Sequence, residues 1–213
     1  MLHLKRFVFN FIEENTYIIY DDNGEAVVVD CGANAPGEER ELRDFVSQHG
    51  LKLRRHLLTH AHFDHVFGAQ FIYDEYGLKP EICAAEKYDY DMASEYMQMF
   101  IHRDLPIQLP PCAVTLTDGA DITVGEISIR VIFTPGHTAG GVCFYIPQAH
   151  ILLSGDTIFR FSVGRTDLPG GSMEALRDSI TQRILVLPPE TRIYPGHGPE
   201  TSVEEERGAA DYF

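Results

Sequence analysis

Paired cysteines, positive charge and long apolar runs are all scarce in this chain, and each scarcity removes a class of function. The four cysteines, Cys31, Cys83, Cys112 and Cys143, are scattered and show no C-x-x-C spacing. Neither a disulfide framework nor a zinc knuckle has a scaffold here, and thiols in a reducing compartment are the simpler account. Lysine and arginine number 17 against 32 aspartates and glutamates, a formal charge of -15. A phosphate backbone would meet net repulsion, which argues against nucleic acid as a partner. No stretch approaches the ~20 consecutive apolar residues of a membrane-spanning helix, which argues against a membrane partner. The opening MLHLKRFVFNFIEENTYIIY is broken by Asn10, Glu13 and Glu14 and so lacks the unbroken apolar core of a signal peptide. A cytoplasmic location is the expectation.

What is present is an ordinary globular composition. A chain of 213 residues that is 44% hydrophobic is long enough for a sizeable core, and one α/β domain over residues 1–213 is expected. LKRFVFNF, NTYIIYD and EAVVVDC read as strands between turn formers, with a turn at Asp22-Asn23-Gly24. PGEERELRDFVSQHG reads as a helix, with Leu42, Phe45 and Val46 on one face. HLLT is the next strand, HVFGAQFIYDEYG and KYDYDMASEYMQMFI have helical periods, and EICAA between them is a strand. A second strand-rich half follows from about Val114, with ISIRVIFT, GVCFYI, ILLS and TRIY. SMEALRDSITQRILVL is a helix with Ser172 as N-cap, and Thr201-x-x-Glu204 is a capping box that starts a short last helix. No linker, low-complexity segment or obvious repeat interrupts the pattern, and the sequence carries no sign of an oligomeric state.

Four places share one design. HLLTHAHFDH, VIFTPGHT, ILLSGDT and RIYPGHG are each an apolar strand ending at once in a turn that carries His or Asp. If these strands end on one edge, His60, His62, Asp64, His65, His137, Asp156 and His197 converge. Such a gathering without Lys or Arg is strongly unfavourable unless a cation sits inside. Imidazole and carboxylate suit borderline divalent ions such as zinc, and seven ligands are too many for one catalytic ion with an open position, so two metals are expected. The remaining histidines, His3, His49, His56, His102 and His150, lack this context and are expected to be solvated or locally hydrogen bonded.

Through THAHFDH, TPGHT, SGDTIF and YPGHG the sequence resembles the metallo-β-lactamase fold superfamily over nearly its whole length. That resemblance implies a four-layer αββα sandwich with the metal site at one edge of the two sheets. It implies that His60, His62 and His137 hold one divalent ion, that Asp64, His65 and His197 hold the second, and that Asp156 bridges them. Zinc is the expected metal, with iron or manganese as alternatives. Antibiotic-hydrolysing members commonly have Cys at the position of Asp156 and lack a His at that of His65, so antibiotic hydrolysis is not the expected activity.

Within the superfamily the chain is similar to glyoxalase II and small glyoxalase-like thioesterases, which implies hydrolysis of an anionic, hydroxyacylglutathione-like thioester. Two divalent cations, two carboxylates and a hydroxide sum to about +1, a local attraction for such a small molecule. The implied catalytic groups are Asp64 and Asp156, acting through a metal-bound hydroxide. Arg165 stands where glyoxalase II has a basic substrate contact, but Asp167 replaces an aromatic residue, and a pairing of Arg165 with Asp167 that braces the loop is the preferred reading. The separate C-terminal helical substrate domain of glyoxalase II is not expected. Asp30, Thr59 and Thr138 are expected to orient the ligand loops without touching metal. KYDYDMASEYMQMF is expected mainly to face the core, with a role in walling the pocket as the alternative. Two rival functions remain: a mononuclear iron persulfide dioxygenase using His60, His137 and Asp156, which shares the GRTD motif, and a metal-binding module without chemistry.

Overall fold

The computed structural model describes residues 1–101 and 107–208. The first sheet holds β1 (Leu2–Phe9), β2 (Glu14–Asp21), β3 (Glu25–Val29), β4 (Lys52–Leu57), β5 (Pro80–Cys83) and β6 (Ala113–Leu116), side by side in that order. The second runs β14 (Thr201–Ser202), β13 (Arg192–Pro195), β10 (Ile151–Gly155), β9 (Val142–Ile146), β8 (Ile127–Phe133) and β7 (Asp121–Val124).

Side-chain alternation along the strands builds three apolar layers. In β2, Tyr17 and Ile19 point between the sheets, where they join Val27, Val29, Leu57, Val131 and Phe144. Ile18, between them in sequence, points the other way, onto Leu42 and Val46 of α1 (Pro36–Gln48) and Ile72 of α3 (Ala69–Tyr76). Because strand side chains alternate with a period of two, a strand buried on both faces must be apolar at nearly every position, as β2 and β3 are. The outer face of the second sheet, with Cys143, Leu152 and Ile193, packs on Leu176 of α5 (Met173–Ser179), on Ile180 and Ile184 of the π-helical turn that continues it, and on Val203 of α6 (Val203–Gly208). The result is the expected four-layer αββα sandwich.

Local chemistry accounts for most element boundaries. The Ser172 hydroxyl accepts from Ala175 N at 3.2 Å and caps α5 as expected. The helical period after His65 is divided, however, into α2 (Phe63–Val66) and α3. Gly68 lies at the break, donating to Cys31 O at 2.8 Å, and a Cβ there would sit 2.4 Å from Cys31 Sγ. The last capping box is shifted by one residue: Glu205 N donates to Ser202 Oγ at 3.2 Å, while Thr201 lies in β14, where β13 claims its backbone. His56 is a further correction. It is fully buried in β4 with neither ring nitrogen hydrogen bonded, and burial pushes its pKa down to about 3. Among the described residues, no helix is long and apolar enough to cross a membrane.

The topology decides where the polar strand ends meet. In the first sheet β3, β4 and β5 are parallel, so Asp30, the segment Thr59–His65 and Glu86 leave at one edge. In the second, β8 and β10 are each antiparallel to β9, and β13 is parallel to β10. His137, Asp156 and His197 therefore leave together. The two edges touch where Val142 N donates to Thr59 O at 2.9 Å.

Candidate metal centre

All seven side chains picked out at strand ends are brought to this shared edge. The nitrogens of His60, His62 and His137 form one group with ligand atoms within 4.8 Å of one another, and Asp64, His65 and His197 form a second. Asp156 reaches both: its Oδ1 lies 3.4 Å from His65 Nε2, and its Oδ2 lies 3.6 Å from His137 Nε2 and 3.7 Å from His197 Nε2. Gly196 lets this happen, since a Cβ at that position would sit 2.2 Å from Asp156 Oδ1.

The hydrogen bonds on the far side of each ring fix which nitrogen faces inward. His137 Nδ1 lies 2.8 Å from Arg165 O, and His197 Nδ1 lies 3.2 Å from Ile12 O. A carbonyl only accepts, so both Nδ1 atoms carry the proton and both Nε2 atoms present a lone pair. His65 Nδ1 donates to Asp30 Oδ2 at 3.0 Å. Thr59 Oγ1 uses its one hydrogen on Asp30 Oδ2 at 2.8 Å, and so it accepts from His60 Nδ1 at 3.1 Å. In their neutral form, the form that binds metal, these four imidazoles aim Nε2 lone pairs toward the carboxylates Asp64 and Asp156. His60 Nε2, His65 Nε2 and Asp156 Oδ1 are buried with no hydrogen-bond partner at all. Lone pairs facing lone pairs in a dry site are repulsive, and cations placed between them remove the conflict, so the residues fit divalent metal. His62 Nδ1 approaches His137 Nε2 to 2.9 Å, a spacing that suits a cation held by both.

The electrostatics point the same way. Burial pushes His60 well below its ordinary pKa, reinforced by His65 and His62, and burial with His137 pushes His62 down to about 3. Burial also works against charge on His65, but Asp64, Asp156 and Asp30 outweigh it and hold that ring well above the usual range. Asp64 and Asp156 are both lowered: burial opposes their ionisation, and His65 overcomes it for each. The carboxylates therefore pull positive charge into the cluster.

Asp30, Thr59 and Thr138 lie behind the ligand side chains, each in a hydrogen bond to a buried group. Asp30 sits in the left-handed region, with φ of 56°, and receives Thr59 N at 2.7 Å as well as His65. A strained non-glycine backbone kept at such a site is held by what its side chain does. Thr138 donates to Glu86, a residue absent from the sequence-based candidates. Glu86 is 1% exposed and also accepts Gly140 N at 2.8 Å and Ala61 N at 2.9 Å, so one carboxylate ties the His60–His62 loop to the His137 loop. Burial raises its pKa to about 7 against the pull of Thr138. Its signal was available: Glu86 closes EICAAE, another apolar strand ending in a turn with a carboxylate. Asn10 and Asn15 were also missed. Asn15 Nδ2 donates to Pro195 O and Gly198 O, each at 2.9 Å, and Asn10 Nδ2 to Asp64 O at 3.2 Å, so the β1–β2 hairpin holds two ligand turns.

Arg165 is paired as preferred, its Nε and Nη2 donating to Asp167 at 2.7 and 2.8 Å. It also lines a cavity of about 610 Å³ that opens on the cluster and that Tyr96 helps to wall. Tyr96 belongs to α4 (Lys87–Ile101), whose Tyr90, Ala93 and Met97 face the core. Both readings of that helix therefore hold, at different positions. His102 lies outside the described residues, whereas His49 bonds Phe45 O at 2.9 Å and His3 meets Asp22.

A model of the metallo-beta-lactamase superfamily matches residues 10–197. The chain belongs to that superfamily. Its similarity to the probable metallo-hydrolase YqgX of Bacillus subtilis is 32% identity over 92% of this chain and 90% of that protein. Its similarity to the hydroxyacylglutathione hydrolase GloC of Haemophilus influenzae is 29% identity, again over 92% and 90%. Among solved structures, the BLEG-1 B3 metallo-beta-lactamase is 33% identical, with a TM-score of 0.89 over 97% of both chains. TTHA1623 in a di-iron-bound form is 34% identical, with a TM-score of 0.86 over 98% of this chain and all of that one. The metallo-β-lactamase fold and its His/Asp cluster mark this chain as a metallo-hydrolase of the superfamily.

Proposed function

We propose that this metallo-hydrolase cleaves thioesters, using two divalent cations, zinc before iron or manganese. His60, His62 and His137 would hold one, Asp64, His65 and His197 the other, and Asp156 both. The observation that carries this reading is the set of inward Nε2 lone pairs arranged around Asp156, with His60 Nε2, His65 Nε2 and Asp156 Oδ1 buried and unpartnered. The likeness to a hydroxyacylglutathione hydrolase supports the thioester, and the di-iron relative makes iron the first alternative to zinc.

Such cations, when bound, supply Lewis acidity toward a carbonyl oxygen and a nucleophile from water at neutral pH. The chain's own groups hold the geometry. The Nδ1 anchors on Arg165 O, Ile12 O, Asp30 and Thr59 keep the rings of His137, His197, His65 and His60 from turning, and the ionised Asp64 and Asp156 retain positive charge in a dry site. No serine, cysteine, threonine or lysine lines the cavity among the described residues, so the acyl group passes straight to water. Water adds to the carbonyl carbon, the carbon–sulfur bond breaks, and a carboxylate, a thiol and a proton result.

The experiment is metal analysis of purified protein together with turnover of thioesters, persulfides and β-lactams, for wild type and Asp64→Ala. Two metals per chain, chelator-sensitive thioester hydrolysis and a loss of at least ~10-fold in metal affinity for Asp64→Ala are expected. Oxygen uptake with persulfide and undiminished iron in Asp64→Ala would instead establish a one-metal dioxygenase. β-Lactam turnover without thioester turnover would also refute the proposal.

A further inference from the structure

The cavity over the cluster is built from two kinds of surface. Its floor is the candidate ligands His62, Asp64, His137, Asp156 and His197, and its walls are Ile12, Phe63, Tyr96, Phe159, Leu168 and Pro169. These wall residues come from separate places: the β1–β2 hairpin, α2, α4, β11 (Ile158–Phe159) and the loop after Arg165. Five separate segments each contribute an aromatic, aliphatic or proline side chain to one concave surface, and among the described residues the cavity's carboxylates, Asp64 and Asp156, both lie in its floor. Ile12 is 37% exposed, so the apolar wall reaches solvent on the hairpin side. Among the described lining residues Arg165 is the one cation outside the histidine cluster, and its Nε and Nη2 donate to Asp167. The charge at the mouth is thereby cancelled.

We infer that this cavity is a subsite for an apolar acyl group, aliphatic or aryl, carried on a thiol without carboxylates. The inference rests on the thioesterase reading and narrows it. Enclosed sites of about 300–1,000 Å³ bind through apolar walls and a few convergent polar groups, which is the division found here. A glutathione carrier would bring two carboxylates to a mouth whose guanidinium is already neutralised, in a protein of charge -15. The walls offer a hydroxyacyl group's hydroxyl one polar side chain, the Tyr96 phenol, against five apolar ones, so burying it there costs desolvation that an alkyl or aryl group does not incur. The positive charge of a metal-loaded floor is matched instead by the charge that develops on the attacked carbonyl oxygen.

The test is a two-by-two panel with metal-loaded protein: octanoyl and lactoyl groups, each on N-acetylcysteamine and on glutathione. The expected result is that kcat/KM for octanoyl-N-acetylcysteamine exceeds that for lactoylglutathione by at least ~10-fold, the discrimination that a few buried methylenes give. Leu168→Ser and Tyr96→Ala should each move the octanoyl-to-lactoyl ratio toward one. Asp167→Asn, which frees Arg165, should raise the glutathione-to-N-acetylcysteamine ratio several-fold. A preference for lactoylglutathione, or equal turnover of all four, overturns the inference and leaves the thioesterase reading standing. Protein with two metals bound that hydrolyses none of the four overturns that reading, and the inference with it.

Discussion

Asp156, part-buried, and Asp30, buried, are both aspartates at strand ends, yet they answer to different partners. Asp156 spans the two groups of nitrogens, whereas Asp30 touches His65 through its outward Nδ1 and Thr59 through its amide and hydroxyl. Asp156→Asn should therefore abolish high-affinity binding of both ions, while Asp30→Asn should weaken binding by ~10 to 100-fold, the range for a supporting group. Competition with a chromophoric chelator measures both, and equal losses would mean that the roles are misassigned. Gly196 offers a test that adds only one methyl. Its Cβ would sit 2.2 Å from Asp156 Oδ1 and 2.7 Å from His65 Cε1. Gly196→Ala should displace these two side chains and lower metal content while the metal-free protein unfolds within a few degrees of wild type. A variant with full metal content would show that the loop has room to yield.

The short turn after β5 has a larger reach than its length suggests. Glu86 accepts from Ala61 N on one ligand loop and from Gly140 N and the Thr138 hydroxyl on another, three donors on one carboxylate. In Glu86→Gln the amide NH₂ must face a donor whichever way it is turned, leaving at least one buried group unpaired at ~1–3 kcal/mol. The loops that it joins carry His60, His62 and His137, but not His197. Stepwise metal titration should show weaker binding at that first group and a second group changed far less. Uniform weakening at both would reduce Glu86 to a general contributor to stability.

At the scale of the whole molecule, His56 makes the fold acid-sensitive independently of the metal site. In the unfolded chain its ring titrates near 6.5, and in the folded protein burial lowers this to about 3. Between those values the unfolded chain binds a proton that the folded chain does not. Stability is therefore full above pH 6.5 and is lost as the pH falls toward 3, by ~1.4 kcal/mol for each unit of the interval. Denaturant unfolding of metal-free protein at pH 7 and pH 5 should show a smaller difference for His56→Leu than for wild type. An unchanged difference would place the acid sensitivity elsewhere.

Much of this was legible without coordinates. The alternation in NTYIIYD and EAVVVDC, the helical spacing of Leu42 and Val46, and the His and Asp residues at four strand ends follow from periods set by local backbone geometry, and local geometry is written in neighbouring residues. What only the tertiary structure decided was pairing across distance: that Glu86 bonds Ala61, Thr138 and Gly140, that Asn15 holds the turn around His197, and that His56 faces a core with no partner. A carboxylate or an imidazole carries the same donors and acceptors wherever it stands in the sequence. Whether it is a solvated surface group, a brace between loops or a buried base depends on which strands lie beside it and how much water they exclude, and those neighbours are chosen by the packing of the two sheets.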